Sequence, residues 1–288
     1  MDRDEVFVSP QWLKDRLDQP DIVPVDASWY LPDMLKDEAP RDAKREFADS
    51  HIPSAVFFDL DANSDTTSDL PHMMPDPVRF SSAVRQLGLG DGMTLVIYDG
   101  HGLFSAPRVW WMFKIMGARQ VYLLDGGLPA WIEAGFELTD SPTQRTARHF
   151  TARLDGSAIA DADTVLHALN DQVATLVDAR GAARFAGEAP EPRPSVRSGH
   201  MPGARSMPYS DLIADGQMKS AEELRKLFAD RDLSLDSPII TTCGSGVTAV
   251  TLKIALELAG ARDVRVYDGS WAEWGTREDL PVETGNDR

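Results

Sequence analysis

The chain has 288 residues, 42% of them apolar, seven tryptophans and a formal net charge of -17. That apolar content supports packed cores rather than disorder, and no run reaches the length of a membrane-spanning helix. The acids are scattered rather than blocked, which disfavours nucleic acid and anionic membranes as partners, so any anionic substrate must be met by locally placed arginines.

Met1-Asp2-Arg3-Asp4-Glu5 lacks the basic-then-apolar layout of a signal peptide, and a cytoplasmic protein is expected. Ile22 to Ala27 reads as a strand, followed by Ser50-His51-Ile52-Pro53-Ser54-Ala55. A helix-period stretch covers Arg79 to Leu87. Leu95 to Tyr98 is again strand-like and runs into Asp99-Gly100. Pro107 to Met116 has helical spacing, with Trp110-Trp111 as core. Tyr122 to Leu124 leads into Asp125-Gly126-Gly127 and Trp131. The segment 139–156 is polar, carries Pro142 and has no clear period; it reads as a linker.

The same plan then recurs. Thr175 to Val177 leads into Asp178-Ala179-Arg180, and Gly199-His200-Met201-Pro202-Gly203-Ala204 follows. Ala221 to Phe228 is a helix. Ile239 to Thr242 runs into Cys243-Gly244, a helix-period run covers Val247 to Leu258, and Arg265-Val266-Tyr267-Asp268-Gly269-Ser270 precedes Trp274. Short apolar runs alternating with helices mean βα units and mostly parallel sheets. Four segments in the same order make the chain a tandem α/β repeat. The expected division is 1–138, a linker at 139–156, and 157–288. Asp99 stands where the second half has Cys243, so one half carries a thiol and the other does not. His51 and His200 recur in both halves, which assigns them to turns rather than to chemistry.

Cys243 is the only cysteine. No intrachain disulfide, CxxC motif or Cys-ligated metal cluster is possible, and no metal or cofactor is expected. Cys243-Gly244-Ser245-Gly246-Val247-Thr248 links a strand to a helix start. Amides at a helix N-terminus favour an anion, so a thiol placed there is favoured as a thiolate nucleophile. A buried, inert cysteine is the ordinary alternative. A phosphatase loop would need an arginine at the sixth place after the cysteine, which is Ala249.

These halves, the His-x-Pro-x-Ala segments, the Cys243 loop and the closing Tyr267-Asp268-Gly269-Ser270-Trp271 resemble the tandem rhodanese-like sulfurtransferases over nearly the whole chain. The resemblance implies two rhodanese-like domains, each a mostly parallel sheet flanked by helices, with Asp99 marking the domain without a nucleophile. The loop Cys-Gly-Ser-Gly-Val-Thr is similar to the branch that uses 3-mercaptopyruvate. The thiosulfate branch typically places basic residues after the cysteine, where this chain has Gly244 and Ser245.

The implied reaction moves sulfur from 3-mercaptopyruvate through a Cys243 persulfide to a thiol such as thioredoxin or a low-molecular-weight thiol, or to cyanide. Gly244, Gly246, Val247 and Thr248 would line and cradle the site. Arg184 and Arg193 would hold the substrate carboxylate, a task that suits a guanidinium fork; otherwise they are two surface arginines on a Pro-rich loop. Ser245, His72 and Asp61 would form a proton relay, or His72 and Asp61 would simply seal an interface. Thr248 would bond the thiolate or cap the helix. Thiosulfate transfer and a non-catalytic sulfur-carrier or interaction module are the competing functions.

Overall fold

The computed structural model describes residues 1–31 and 41–285. In the first half, β1 (Phe7–Val8), β2 (Ile22–Asp26), β3 (Val56–Phe57), β4 (Thr94–Tyr98) and β5 (Gln120–Leu124) form a sheet in the order β1-β5-β4-β2-β3. All its pairings are parallel. The second half has β6 (Ile159–Ala160), β7 (Thr175–Asp178), β8 (Arg205–Ser206), a small hairpin of β9 (Ile213–Ala214) and β10 (Gln217–Met218), then β11 (Ile239–Thr242) and β12 (Val264–Tyr267). Its sheet runs β6-β12-β11-β7-β8, again parallel throughout. The two orders match strand for strand, so the sequence repeat is a structural repeat.

The central strands β2 and β11 are buried along their whole length. Parallel sheets covered on both faces read as continuous apolar runs for this reason. The covering helices of the first half are α1 (Pro10–Lys14), α2 (Ala43–Asp49), α3 (Pro77–Gln86), α4 (Ala106–Ile115) and α5 (Gly127–Glu133). Those of the second are α6 (Ala162–Asp171), α7 (Ala182–Phe185), α8 (Ala221–Ala229), α9 (Thr248–Ala259) and α10 (Ser270–Trp274). Their starts are locally encoded. The Asp76 side chain accepts from the Val78 and Arg79 amides with Pro77 at the first turn, and Ser220 with Glu223 closes a capping box.

Helices α4 and α9 join the halves. α4 is buried except at Lys114, and α9 except at Glu257. Helices apolar all round belong inside a core, and here one apolar cluster runs through both halves, Trp110 and Trp111 included. The segment read as a linker lies against the first half. Phe150 is buried within 5.9 Å of the Phe80 ring and 6.3 Å of the Phe113 ring. Backbone bonds from Arg153 to Met116 and from Asp155 to Ile115 fasten it further.

His51 and His200 play parallel parts. Their Nδ1 atoms meet the Phe47 and Phe185 carbonyls at 2.6 and 2.9 Å, and each ring stacks on that phenylalanine. Each also pairs backbone with a distant segment, Thr139 or Glu283. No helix among the described residues is long and apolar enough to cross a membrane.

Candidate active site

Cys243 follows β11 at the carboxyl edge of the second sheet. β11 lies between β7 and β12, and chain connections leave this point in opposite directions. Such a switch point opens a crevice where α/β proteins bind ligands. A cavity of about 180 Å³ lies here, lined by Cys243, Gly244, Ser245, Val247 and Thr248. Arg180, Arg184, Arg193 and Tyr209 add to it, and the first half contributes Trp29, Leu31 and Phe104. Cys243 is 2% exposed, so only a small donor entering the cavity reaches it.

The cysteine backbone is clamped. Its N–H donates to Ser270 Oγ at 3.3 Å, and its carbonyl accepts from the Trp271 amide at 3.0 Å. The Gly244 carbonyl accepts from the Ala272 amide at 2.9 Å. Ser270 holds a left-handed φ of 50°, where the first half uses Gly127 at φ 60°. A serine tolerates that conformation only when its surroundings impose it.

The first half shows what this kind of loop binds. Asp99 Oδ2 accepts from the Phe104, Ser105 and Ala106 amides at 2.8, 2.8 and 2.7 Å, and Oδ1 accepts from the His101 amide at 2.9 Å. Four backbone N–H groups thus converge on an anion built into the chain. Cys243 stands at the equivalent place before the start of α9, where the first amides of a helix carry partial positive charge. Thr248 is the first residue of α9; the capping position is Val247, which has no side-chain cap. Thr248 is therefore not the N-cap of α9, and it is one of the residues lining the cavity.

Ser245 Oγ lies 3.0 Å from His72 Nδ1, across 173 residues of sequence, and His72 Nε2 lies 3.0 Å from Asp61 Oδ1. An ionised Asp61 accepts from Nε2–H, which leaves Nδ1 as an acceptor for the Ser245 hydroxyl. The hydrogen bond from His72 is the main influence holding the Asp61 carboxyl below its ordinary range. Trp29 Nε1 donates to the other Asp61 oxygen at 3.0 Å, and its ring meets His72 edge-on at 4.6 Å. The three groups named from the sequence are joined in one line.

Arg184 donates to Glu191 at 2.5 Å. Glu191 is also bonded by Arg180 at 2.8 Å, and Arg180 holds Asp178 and the Gly199 carbonyl. Arg193 donates to no side chain or carbonyl among the described residues. Burial first, and then the neighbouring Arg184, push its guanidinium below the ordinary range, with Glu191, Cys243 and Asp61 opposing. Arg180, Arg184 and Arg193 thus gather at one end of the cavity, with Asp178 and Glu191 pairing the first two. A Cβ on Gly244 would lie 3.0 Å from Arg184 Nη2, so the guanidinium rests directly on the loop.

Gly246, His72 and Asp61 do not line the cavity; the other seven candidates do. Trp29, Glu191 and Ser270 escaped the sequence reading. Trp29 carried no local signal. Glu191 lay in view between the two arginines. Ser270 sat in the closing Asp-Gly-Ser-Trp segment, where the corresponding Gly127 hinted at a left-handed residue.

A rhodanese-like domain model matches residues 9–134 and 161–277. The chain is 42% identical to 3-mercaptopyruvate sulfurtransferase of Escherichia coli (strain K12), over 96% of this chain and 97% of that protein. It is 40% identical to thiosulfate/3-mercaptopyruvate sulfurtransferase 1, mitochondrial, of Arabidopsis thaliana, over 97% of this chain and 78% of that one. The crystal structure of SseA from Escherichia coli superposes with a TM-score of 0.84 at 40% identity, covering 92% of this chain and 98% of that one. Two parallel sheets in identical order, one ending in a cysteine loop and the other in its carboxylate-filled copy, belong to a protein of the rhodanese-like family.

Proposed function

We propose that this chain is a sulfurtransferase that takes the sulfur of 3-mercaptopyruvate onto Cys243, releases pyruvate and passes the sulfur to a thiol or to cyanide. The observation that carries this choice of donor is the Asp61–His72–Ser245 line ending beside Cys243. Mercaptopyruvate brings a thiol proton and leaves a carbanion that needs one, whereas thiosulfate transfer needs no proton carrier. Relatives of the same layout named for 3-mercaptopyruvate support the reading.

The Cys243 thiolate attacks the donor sulfur. A sulfur–sulfur bond forms, the carbon–sulfur bond breaks, and its electron pair stays on the methylene carbon as the pyruvate enolate. The donor's thiol proton passes through the Ser245 hydroxyl to His72 and on to that carbon, with Asp61 stabilising the transient imidazolium. Pyruvate leaves, and the persulfide anion rests against the loop amides from Gly244 to Thr248, as the Asp99 carboxylate rests on its own loop in the first half. Arg193 and Arg184 hold the carboxylate and carbonyl of the donor. A second thiol or cyanide then removes the outer sulfur and restores the thiolate, a ping-pong cycle. A lone thiol nucleophile needs a reducing compartment, and the cytoplasm is the proposed location. The proposed domain limits are 1–138 and 157–288, with 139–156 as the fastened connector.

Comparison of kcat/KM for mercaptopyruvate and thiosulfate tests the reading. Mercaptopyruvate should be preferred, and His72→Ala should lower its kcat by about a hundredfold or more while leaving the thiosulfate rate within about threefold. A wild-type preference for thiosulfate would reject it.

A further inference from the structure

Arg108 has no exposed surface. Burying a guanidinium costs several kcal/mol unless it is paired and hydrogen-bonded, so its partners show what it is for. They come from both halves. Nη2 lies 2.6 Å from Asp268 Oδ1 and donates to the His72 carbonyl at 2.5 Å. Nη1 donates to the Gly246 carbonyl at 3.4 Å, and the guanidinium lies 4.9 Å from the Trp111 ring. Asp268 in turn accepts from the Met74 amide at 2.7 Å.

These contacts grip both ends of one hydrogen bond. His72 holds a left-handed φ of 60°, a conformation a histidine keeps only when its surroundings impose it. Arg108 holds its carbonyl, and Asp268 holds the amide two residues on. On the other side Gly246 follows Ser245 directly. A Cβ at Gly246, which has φ 76°, would lie 3.2 Å from Arg108 Nη1 and 2.9 Å from the Asp268 carbonyl. The glycine is what lets the guanidinium reach the loop.

We propose that Arg108, paired with Asp268, is a positioning residue that fixes the His72 imidazole against the Ser245 hydroxyl and so sets the proton relay that a first-half element supplies to a second-half nucleophile. The proposal rests on the relay reading given above. Lysine in place of Arg108 keeps a cation on Asp268 but lacks the fork that bridges the His72 and Gly246 carbonyls.

The test measures pyruvate release from 3-mercaptopyruvate by Arg108→Lys in the wild-type and His72→Ala backgrounds, with thermal unfolding recorded for each. In the wild-type background kcat should fall at least about tenfold with KM within about threefold. In the His72→Ala background the same change should alter kcat by less than about twofold, since residues acting as one unit are not additive. An equal loss in both backgrounds would make Arg108 a scaffold residue and overturn the proposal, as would wild-type kinetics in Arg108→Lys. If His72→Ala alone costs nothing, the relay reading fails instead, and the two failures are told apart. Should Arg108→Lys not fold, Asp268→Asn keeps an acceptor for Met74, removes the charge and is read in the same way. Failure of both to fold would count against the proposal, because the pair would then determine the fold itself.

Discussion

Arg193 is the half-buried cation of the cavity that donates to no partner among the described residues, and Arg184 is already committed to Glu191. An incoming carboxylate therefore gains most from Arg193. Arg193→Ala should lower kcat/KM for mercaptopyruvate by the equivalent of about 2–3 kcal/mol, the range for a hydrogen bond to a charged group. Arg184→Ala should cost less, because that guanidinium already spends its donors on Glu191. Arg193→Lys should rescue poorly, since a point charge does not reproduce the fork. Steady-state kinetics on the three variants would show this ranking, and equal losses for Arg184→Ala and Arg193→Ala would refute it.

Donor choice is also decided at the residue scale. Cations at positions 244 and 245 would favour the dianion thiosulfate, whose charge sits on the reacting end. Gly244→Arg with Ser245→Lys would also push Arg184 off the loop, given the 3.0 Å approach to Gly244, and would remove the hydroxyl that His72 meets. The ratio of kcat/KM for the two donors should shift toward thiosulfate by at least about tenfold. A folded double variant with a ratio within about threefold of wild type would place specificity in the arginines alone.

At the scale of elements, the same strand-to-helix loop is used twice, and in the first half it is an anion cradle. In the first half Asp99 fills it with four amide bonds. Asp99→Asn puts an N–H₂ group against at least one of those N–H donors, so urea unfolding should show a loss of about 1–3 kcal/mol. Unchanged stability would mean that the loop does not depend on an anion. This element was legible in the sequence because its signals are local: a strand, Gly-x-Gly and an apolar helical run lie consecutively. Of the two readings of Thr248, the cap is not observed, since the helix begins at Thr248 itself and its N-cap position is Val247. How the connector is fastened was not legible, because Phe150 stands alone among polar residues and its partners Phe80 and Phe113 lie far away in sequence.

Across the whole molecule, the two halves share one core through α4 and α9, and the half without a thiol supplies Trp29, Asp61 and His72 to the half with one. The repeat made two similar sheets predictable. The mutual placement of the halves was not, and neither were Arg108, Asp268 and Trp29 at their junction. Such contacts arise between surfaces that leave no periodic trace.

Burial of Asp26 in the first sheet, with Asp99 adding to it, pushes its carboxyl up to about 6. The folded state then keeps a proton that the unfolded chain releases from about pH 4 upward. Stability should fall as pH rises from about 4 to 6 and level off above, by an amount on the order of 3 kcal/mol. Asp26→Asn keeps the oxygen that accepts from the Ser28 amide and removes the titration. The variant should gain on wild type between pH 4.5 and 7.5, chosen as roughly bracketing that window. Urea midpoints at the two values that move in parallel would contradict this.

The central claim is that Cys243 accepts sulfur from 3-mercaptopyruvate. Intact-mass measurement after brief incubation with that donor, alongside an assay for pyruvate, tests it most directly. Wild type should gain one sulfur atom, lose it again to a thiol or cyanide, and release one pyruvate per sulfur gained. Cys243→Ser should fold, gain nothing and retain less than about a hundredth of the turnover. Pyruvate release by Cys243→Ser near the wild-type rate, or a wild-type protein that gains no sulfur while turning the donor over, would contradict the account.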